Sequence, residues 1–224
     1  MKRILIFGDS ILRGVYVSEE TGQHRLYRER IGNLSEGGFE VKNCSVMGAT
    51  VTTGKELIRK KLPEAGDPAE SAVIFEYGGN DCDYKWQDIS DNPSGAFSPN
   101  TPADRFADRL SDCIAYAKRA GAKVFLCNLV PLDAGRYLDW IARNRSKENI
   151  LRWLGDTGML SRWQEFYNRT AEQIAAESAC PLIDIRSPFL LSHPYADLLS
   201  PDGIHPTVEG HRLIDTLIKE AVTA

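Results

Sequence analysis

The sequence predicts an α/β fold, a three-layer α/β/α sandwich on a five-stranded parallel sheet, and three observations point to it. Five short apolar, β-rich runs recur at 3–7, 39–45, 72–77, 123–128 and 181–185. Segments with apolar residues at helical spacing lie between them, the alternation expected of a parallel sheet with helices on both faces. A length of 224 residues suits one such unit, so a single domain over 1–224 is expected, with no internal repeat and no low-complexity tract.

The elements follow in order. The first run, Ile4-Leu5-Ile6-Phe7, stops at Gly8; it is too short for a signal-peptide core or a membrane span and reads as a strand. The third run carries an ionisable Glu76 within Val73-Ile74-Phe75-Glu76-Tyr77, which either pairs with an arginine, borders a pocket or reaches solvent at the sheet end. Thr101-Pro102-Ala103-Asp104 predicts a helix start, with a capping hydroxyl and a proline in the first turn. Phe106, Leu110, Cys113, Ile114 and Ala117 follow at helical spacing, and Gly121 ends the helix. Trp163, Phe166, Tyr167, Thr170 and Ile174 mark a second amphipathic helix. Leu213, Ile214, Leu217, Ile218 and Ala221 mark a C-terminal one, which Pro206 is expected to start. Two excursions, 82–100 and 131–160, are long for connections and are expected to form lids or binding loops.

Composition removes several function classes. Hydrophobic residues make up 42% and charged residues 26%, which suits a soluble globular protein, and a net charge of −4 argues against a nucleic-acid partner. Five scattered cysteines without CxxC spacing suggest neither a disulfide framework nor a zinc site. A reducing cytoplasm is the expected location, with no cofactor, no metal and no membrane partner.

Four motifs carry the chemistry. Gly8-Asp9-Ser10 closes the first run, Gly48 follows the second, Gly79-Asn80-Asp81 follows the third, and Asp202-Gly203-Ile204-His205 lies near the C-terminus. The first three sit just beyond strand C-termini, the edge where open parallel sheets bind ligands. A serine hydroxyl is a poor nucleophile until a base takes its proton. Of four histidines, His205 alone has a carboxylate three residues upstream, Asp202, which can hold one ring nitrogen while the other faces Ser10. Asp9 and Asp81 either brace their turns or serve as a second acid and base. Tyr84, Trp86 and Phe97 on one excursion, with Tyr137, Trp140, Trp153 and Arg136, Arg143, Arg145 and Arg152 on the other, form a substrate wall with a basic rim, ordinary helix packing or an interface between copies. His24, His193 and His211 have no comparable constellation, and Cys82 reads as a half-buried thiol.

Taken together, Ile6-Phe7-Gly8-Asp9-Ser10, Asn43-Cys44-Ser45-Val46-Met47-Gly48, Gly78-Gly79-Asn80-Asp81 and Asp202-Gly203-Ile204-His205-Pro206 resemble the four ordered blocks of the SGNH hydrolase superfamily, also called the GDSL esterase/lipase family. The resemblance spans nearly the whole chain. It implies a flavodoxin-like topology, a catalytic set of Ser10, Asp202 and His205, and an oxyanion hole from the backbone N–H groups of Ser10 and Gly48 and the side-chain amide of Asn80. The implied reaction is hydrolysis of acyl esters through an acyl-enzyme. The small size and lack of a long apolar lid favour a small-molecule or carbohydrate substrate with a short acyl group, deacetylation of a sugar first. Thioesterase or lysophospholipase chemistry on the same fold is the alternative. A metallophosphoesterase built on Asp9, Asn80, Asp81 and His205 is weakened by the shortage of histidines and the lack of an Asp-x-His cluster near the first strand. A non-catalytic ligand-binding module stands against the intact Ser10, Asp202 and His205 set. The absence of GxGxxG and GxSxG disfavours a dinucleotide-binding protein and an α/β-hydrolase proper.

Overall fold

From Ile4 onward every residue of the strand Arg3–Gly8 (β1) is buried, and period-two alternation sends Leu5 and Phe7 into one hydrophobic cluster and Ile4 and Ile6 into another. Burial on both faces is the mark of a central parallel strand. In the computed structural model, which describes residues 2–29, 34–35 and 38–224, β1 is followed by a short helix, Ser10–Arg13 (α1), and an antiparallel hairpin of Val15–Val17 (β2) and His24–Leu26 (β3). Glu40–Asn43 (β4) and Val51–Glu64 (α2) lead to Ser71–Glu76 (β5). Trp86–Asp91 (α3) and Ala103–Arg119 (α4) lead to Lys123–Cys127 (β6). Ala134–Ile141 (α5), Lys147–Leu154 (α6) and Gly158–Glu177 (α7) precede Leu182–Ile183 (β7), and Arg186–Leu191 (α8) and Val208–Thr223 (α9) end the chain.

The sheet is parallel throughout, in the order β4-β1-β5-β6-β7. After β1 the chain steps to one side, and after β4 it returns to the other, so the switch point lies between β1 and β5. Ligands bind outside the strand C-termini at such a point. One face of the sheet packs on Ile58 and Leu62 of α2, Leu110 and Ile114 of α4, and Tyr167 and Ile174 of α7. The opposite face packs on Ile214, Ile218 and Val222 of α9 and Phe189 of α8. A third cluster joins the two excursions, with Trp86 and Ile89 of α3 against Tyr137, Leu138 and Ile141 of α5 and Ile150 of α6. These helices form a cap beside the sheet edge. No helix among the described residues is long and apolar enough to cross a membrane.

Local chemistry moved several expected boundaries. The outer strands are shorter than their apolar runs: β4 covers Glu40–Asn43 and β7 only Leu182–Ile183, each an edge strand with one neighbour. Thr101 does not cap α4; that helix begins at Ala103 without a side-chain cap, and the Thr101 hydroxyl hydrogen-bonds Asp81 instead. Pro206 does not start α9, because it forms an isolated bridge with Leu199. Thr207 is the cap, its hydroxyl accepting from the Gly210 N–H at 3.2 Å. Glu76 does not reach solvent; it is 1% exposed.

Candidate active site

Ser10 is the first residue of α1, whose N-terminus is capped by Asp9: the Asp9 carboxylate accepts from the Ile11 N–H at 2.8 Å. This turn presents the Ser10 hydroxyl at the C-terminal end of β1. From the other end of the sequence, His205 brings Nε2 to 2.9 Å from Ser10 Oγ, and its Nδ1 hydrogen-bonds Asp202 Oδ2. The second Asp202 oxygen accepts from the backbone N–H groups of His205 at 3.1 Å and Ile204 at 3.2 Å. Burial works against a charge on Asp202, but the hydrogen bonds from His205 and the field of its ring outweigh it and hold the carboxyl below its ordinary range. An ionised Asp202 fixes the proton on Nδ1 and leaves Nε2 as the acceptor facing the serine. The loop requires glycine at Gly203: its φ is +74°, and a Cβ there would meet the Asp133 carbonyl oxygen at 2.7 Å.

Across the switch point, β5 delivers Asn80, whose side-chain nitrogen donates to Asp9 Oδ2 at 2.8 Å. An amide nitrogen carries two protons, so this bond fixes the plane of Asn80 and leaves one N–H free. Its backbone is braced as well, since Asn100 donates to the Asn80 carbonyl at 2.9 Å. Asp9 also hydrogen-bonds Glu76; burial, opposed by the Ile11 N–H, the His205 charge and the Glu76 and Asn80 bonds, leaves the Asp9 carboxyl above its ordinary range. Two buried acids in contact require a shared proton. Asp81 points elsewhere, with both oxygens 3.1 Å from the Val51 N–H at the start of α2. Burial raises its carboxyl to about 6 against the Thr101 and Val51 bonds. Gly48, at φ +74°, is exposed on the rim.

Ser10, Gly48, Asn80 and His205 therefore line one cavity of about 180 Å³, beside Asp9 and Glu76. The sequence profile of the GDSL-like lipase/acylhydrolase family matches residues 6–213. The chain belongs to that family. A GDSL-like acylhydrolase is a carboxylic ester hydrolase of the SGNH type, and the fold agrees. A lipase/acylhydrolase from Enterococcus faecalis superposes with a TM-score of 0.67 at 21% identity, covering 99% of this chain and 95% of that one. The acetyl xylan esterase AlAXEase gives 0.63 at 20% identity over 98% and 99%. The psychrotrophic esterase EstA from Pseudoalteromonas sp. gives 0.61 at 17% identity over 100% and 97%. No curated protein sequence matches.

The GDSL-like scaffold adds to the site residues that the sequence had not placed there, beside two that it had proposed for a substrate wall. Leu129, Leu132, Leu160, Trp163 and Ile204 line the cavity together with Tyr84 and Trp86, so its wall is aromatic and aliphatic. The four arginines expected as a basic rim, Arg136, Arg143, Arg145 and Arg152, do not line it. Trp86 turns its polar end away, donating its indole N–H to Asp83 at 2.7 Å. His211 is buried and donates to the Val15 carbonyl at 2.8 Å. His24 is the larger surprise, because the hairpin carries its ring edge-on to His205, with centroids 5.3 Å apart, and to Trp140 at 5.8 Å. Partial burial and the His205 charge lower its affinity for a proton, against the pull of Asp202. Among the described residues, His24, Asp202 and His205 form the one group with metal-ligand potential, ligand atoms lying within 4.8 Å of one another. Asp202 and His205 are already hydrogen-bonded to each other, and Asp9 and Asp81 are turned to Asn80 and Val51.

Proposed function

We propose that Ser10 is the nucleophile of an acyl-enzyme ester hydrolase, with His205 as general base and Asp202 as its orienting carboxylate. The observation that carries this reading is the unbroken line from Ser10 Oγ through the His205 ring to Asp202, opening on one cavity. As Oγ attacks the ester carbonyl, its proton moves to Nε2 and the imidazolium is stabilised by Asp202. Negative charge on the carbonyl oxygen meets the backbone N–H groups of Ser10 and Gly48 and the free N–H of Asn80. Collapse expels the alcohol, which takes the proton from Nε2. Water then repeats the sequence on the acyl-enzyme and releases the acid.

The cavity argues for an apolar acyl group of short to medium length. An engineered apolar cavity of about 150 Å³ holds benzene, so a space of this kind fits roughly six carbon atoms. Acetyl, the group removed by the structurally similar acetyl xylan esterase, leaves most of the space unfilled. Among p-nitrophenyl acetate, butyrate, hexanoate, octanoate and palmitate, kcat/KM is expected to peak between butyrate and octanoate; a peak at acetate or palmitate refutes the acyl-pocket assignment. Ser10→Ala is expected to abolish turnover with the fold intact, and a fluorophosphonate is expected to add its mass to Ser10. Full activity in that variant sinks the nucleophile assignment.

A further inference from the structure

A second hollow lies beside the first. It is an open groove between the hairpin and the turn after β4, lined by Arg13, Arg25, Arg28, His24, Tyr16 and Met47 among others, with no aspartate or glutamate among the described residues of its wall. Met47 also lines the apolar cavity, and His24 touches the ring of His205, so the two hollows adjoin at Met47 and beside His205. An ester held with its carbonyl at Ser10 has two sides. One side fills the apolar cavity, and the other must leave along the groove.

The groove's charge runs against that of the molecule, which carries a net −4. Among the described residues no carboxylate stands in ion-pair contact with Arg13, Arg25 or Arg28. Three guanidinium groups lining one groove put like charges on a single wall, an arrangement that favours an anion between them. The groove is also held in place. Arg13 donates to the Ser45 carbonyl at 2.8 Å, which fixes its direction and leaves further N–H groups to spare. At the turn end of the hairpin Val17 N–H donates to Ser200 Oγ at 3.1 Å, and at its base Tyr27 N–H donates to the Gly14 carbonyl at 2.8 Å, so β2 and β3 are tied to both α1 and the His205 loop. Guanidinium forks match the oxygens of phosphate in pairs, and the exposed side chains of Leu26, Val46 and Met47 offer apolar surface for a short carbon skeleton between them and the scissile bond.

Resting on the ester-hydrolase reading above, we propose that this groove binds the alcohol side of the substrate and that the alcohol bears a phosphate group: the enzyme cleaves short acyl esters of a soluble phosphorylated alcohol. Phosphate stays on the departing alcohol and takes no part in bond breaking. It anchors the leaving group so that the ester oxygen faces Nε2 of His205.

The test compares 1-butyryl-glycerol 3-phosphate with 1-butyrylglycerol, and p-nitrophenyl butyrate reports the ester chemistry alone. The phosphorylated ester is expected to show a kcat/KM at least about tenfold higher than its neutral twin at low salt, carried by KM, as charge-assisted hydrogen bonds of this kind support. The advantage shrinks as ionic strength rises. The double variant Arg25→Gln/Arg28→Gln collapses the ratio towards one, and Arg25→Glu drives it below one. Lysine at both positions restores part of it. Turnover of p-nitrophenyl butyrate without any phosphate preference overturns the groove assignment and leaves the ester-hydrolase reading standing; failure on all three esters overturns both. A preference seen only with a long-chain acylglycerol phosphate in vesicles, and not with the monomeric butyryl ester, assigns the arginines to a lipid surface and also overturns the proposal.

Discussion

Asn80 and Asp81 are neighbours in one motif, yet their side chains do different work. Asn80 is held by Asp9 at 2.8 Å with one N–H free, and loss of one oxyanion donor typically costs a factor of about 100–1000 in kcat. Asn80→Ala is therefore expected to lower kcat by about that factor with little change in KM, measured on p-nitrophenyl butyrate. Asp81 faces the start of α2, and its effect is on stability. Its folded-state pKa of about 6 lies above the ordinary 3.8, so the folded chain holds a proton that the unfolded chain has released. Stability is then lost as pH rises from 3.8 through about 6 and levels off above that window. Asp81→Asn keeps an oxygen for the Val51 N–H but cannot titrate. In urea melts across this window the wild type is expected to lose stability relative to the variant by roughly 2–3 kcal/mol. Parallel curves for the two proteins would show that Asp81 titrates normally.

At the scale of elements, what was legible in the sequence depended on how local its cause is. The central strands β1, β5 and β6 announce themselves because burial on both faces requires continuous apolar runs. The β2–β3 hairpin does not: each strand has three residues, and all of β3 is exposed, so neither period nor hydrophobicity marks it. That is why His24 stayed hidden, although it comes to lie beside His205. Three of the four site motifs were readable because each sets a glycine beside a reactive side chain, and the fourth is the lone Gly48 after a strand, whereas the groove arginines acquire meaning only through long-range packing. The cap is the same kind of case. Its two excursions are joined when Tyr137 donates to Asp83 at 2.7 Å, the carboxylate that also receives the Trp86 indole N–H. Hydrogen bonds to charged groups contribute about 1.5–3 kcal/mol, so Tyr137→Phe is expected to destabilise the fold by about 2 kcal/mol. An unchanged melting midpoint would mean that water replaces the hydroxyl at no cost.

For the whole molecule the consequence is a division of stability between a sheet and its cap. The sheet is buried on both faces by clusters that reach α2, α4 and α7 on one side and α8 and α9 on the other. The cap has a smaller cluster of its own, formed by Trp86, Ile89, Tyr137, Leu138, Ile141 and Ile150 with Leu160. Units with few buried apolar contacts open at lower free energy than the global transition, and the cap's cluster is smaller than either cluster on the sheet. The cavity lies where the cap meets the sheet edge, so a partial opening of the cap would give an acyl group a way in and its acid a way out. Native-state hydrogen exchange is expected to show amides of α3, α5 and α6 exchanging through a partial opening with a shallow denaturant dependence. Amides of β1, β5 and β6 are expected to exchange only through global unfolding. Labelling Ser10 with a phosphonate that carries a hexyl chain fills the cavity from inside, and it should raise protection in the cap more than in the sheet. One common denaturant dependence for cap and sheet would instead make the molecule a single cooperative unit, and the acyl group would then have to enter along the open rim near Gly48.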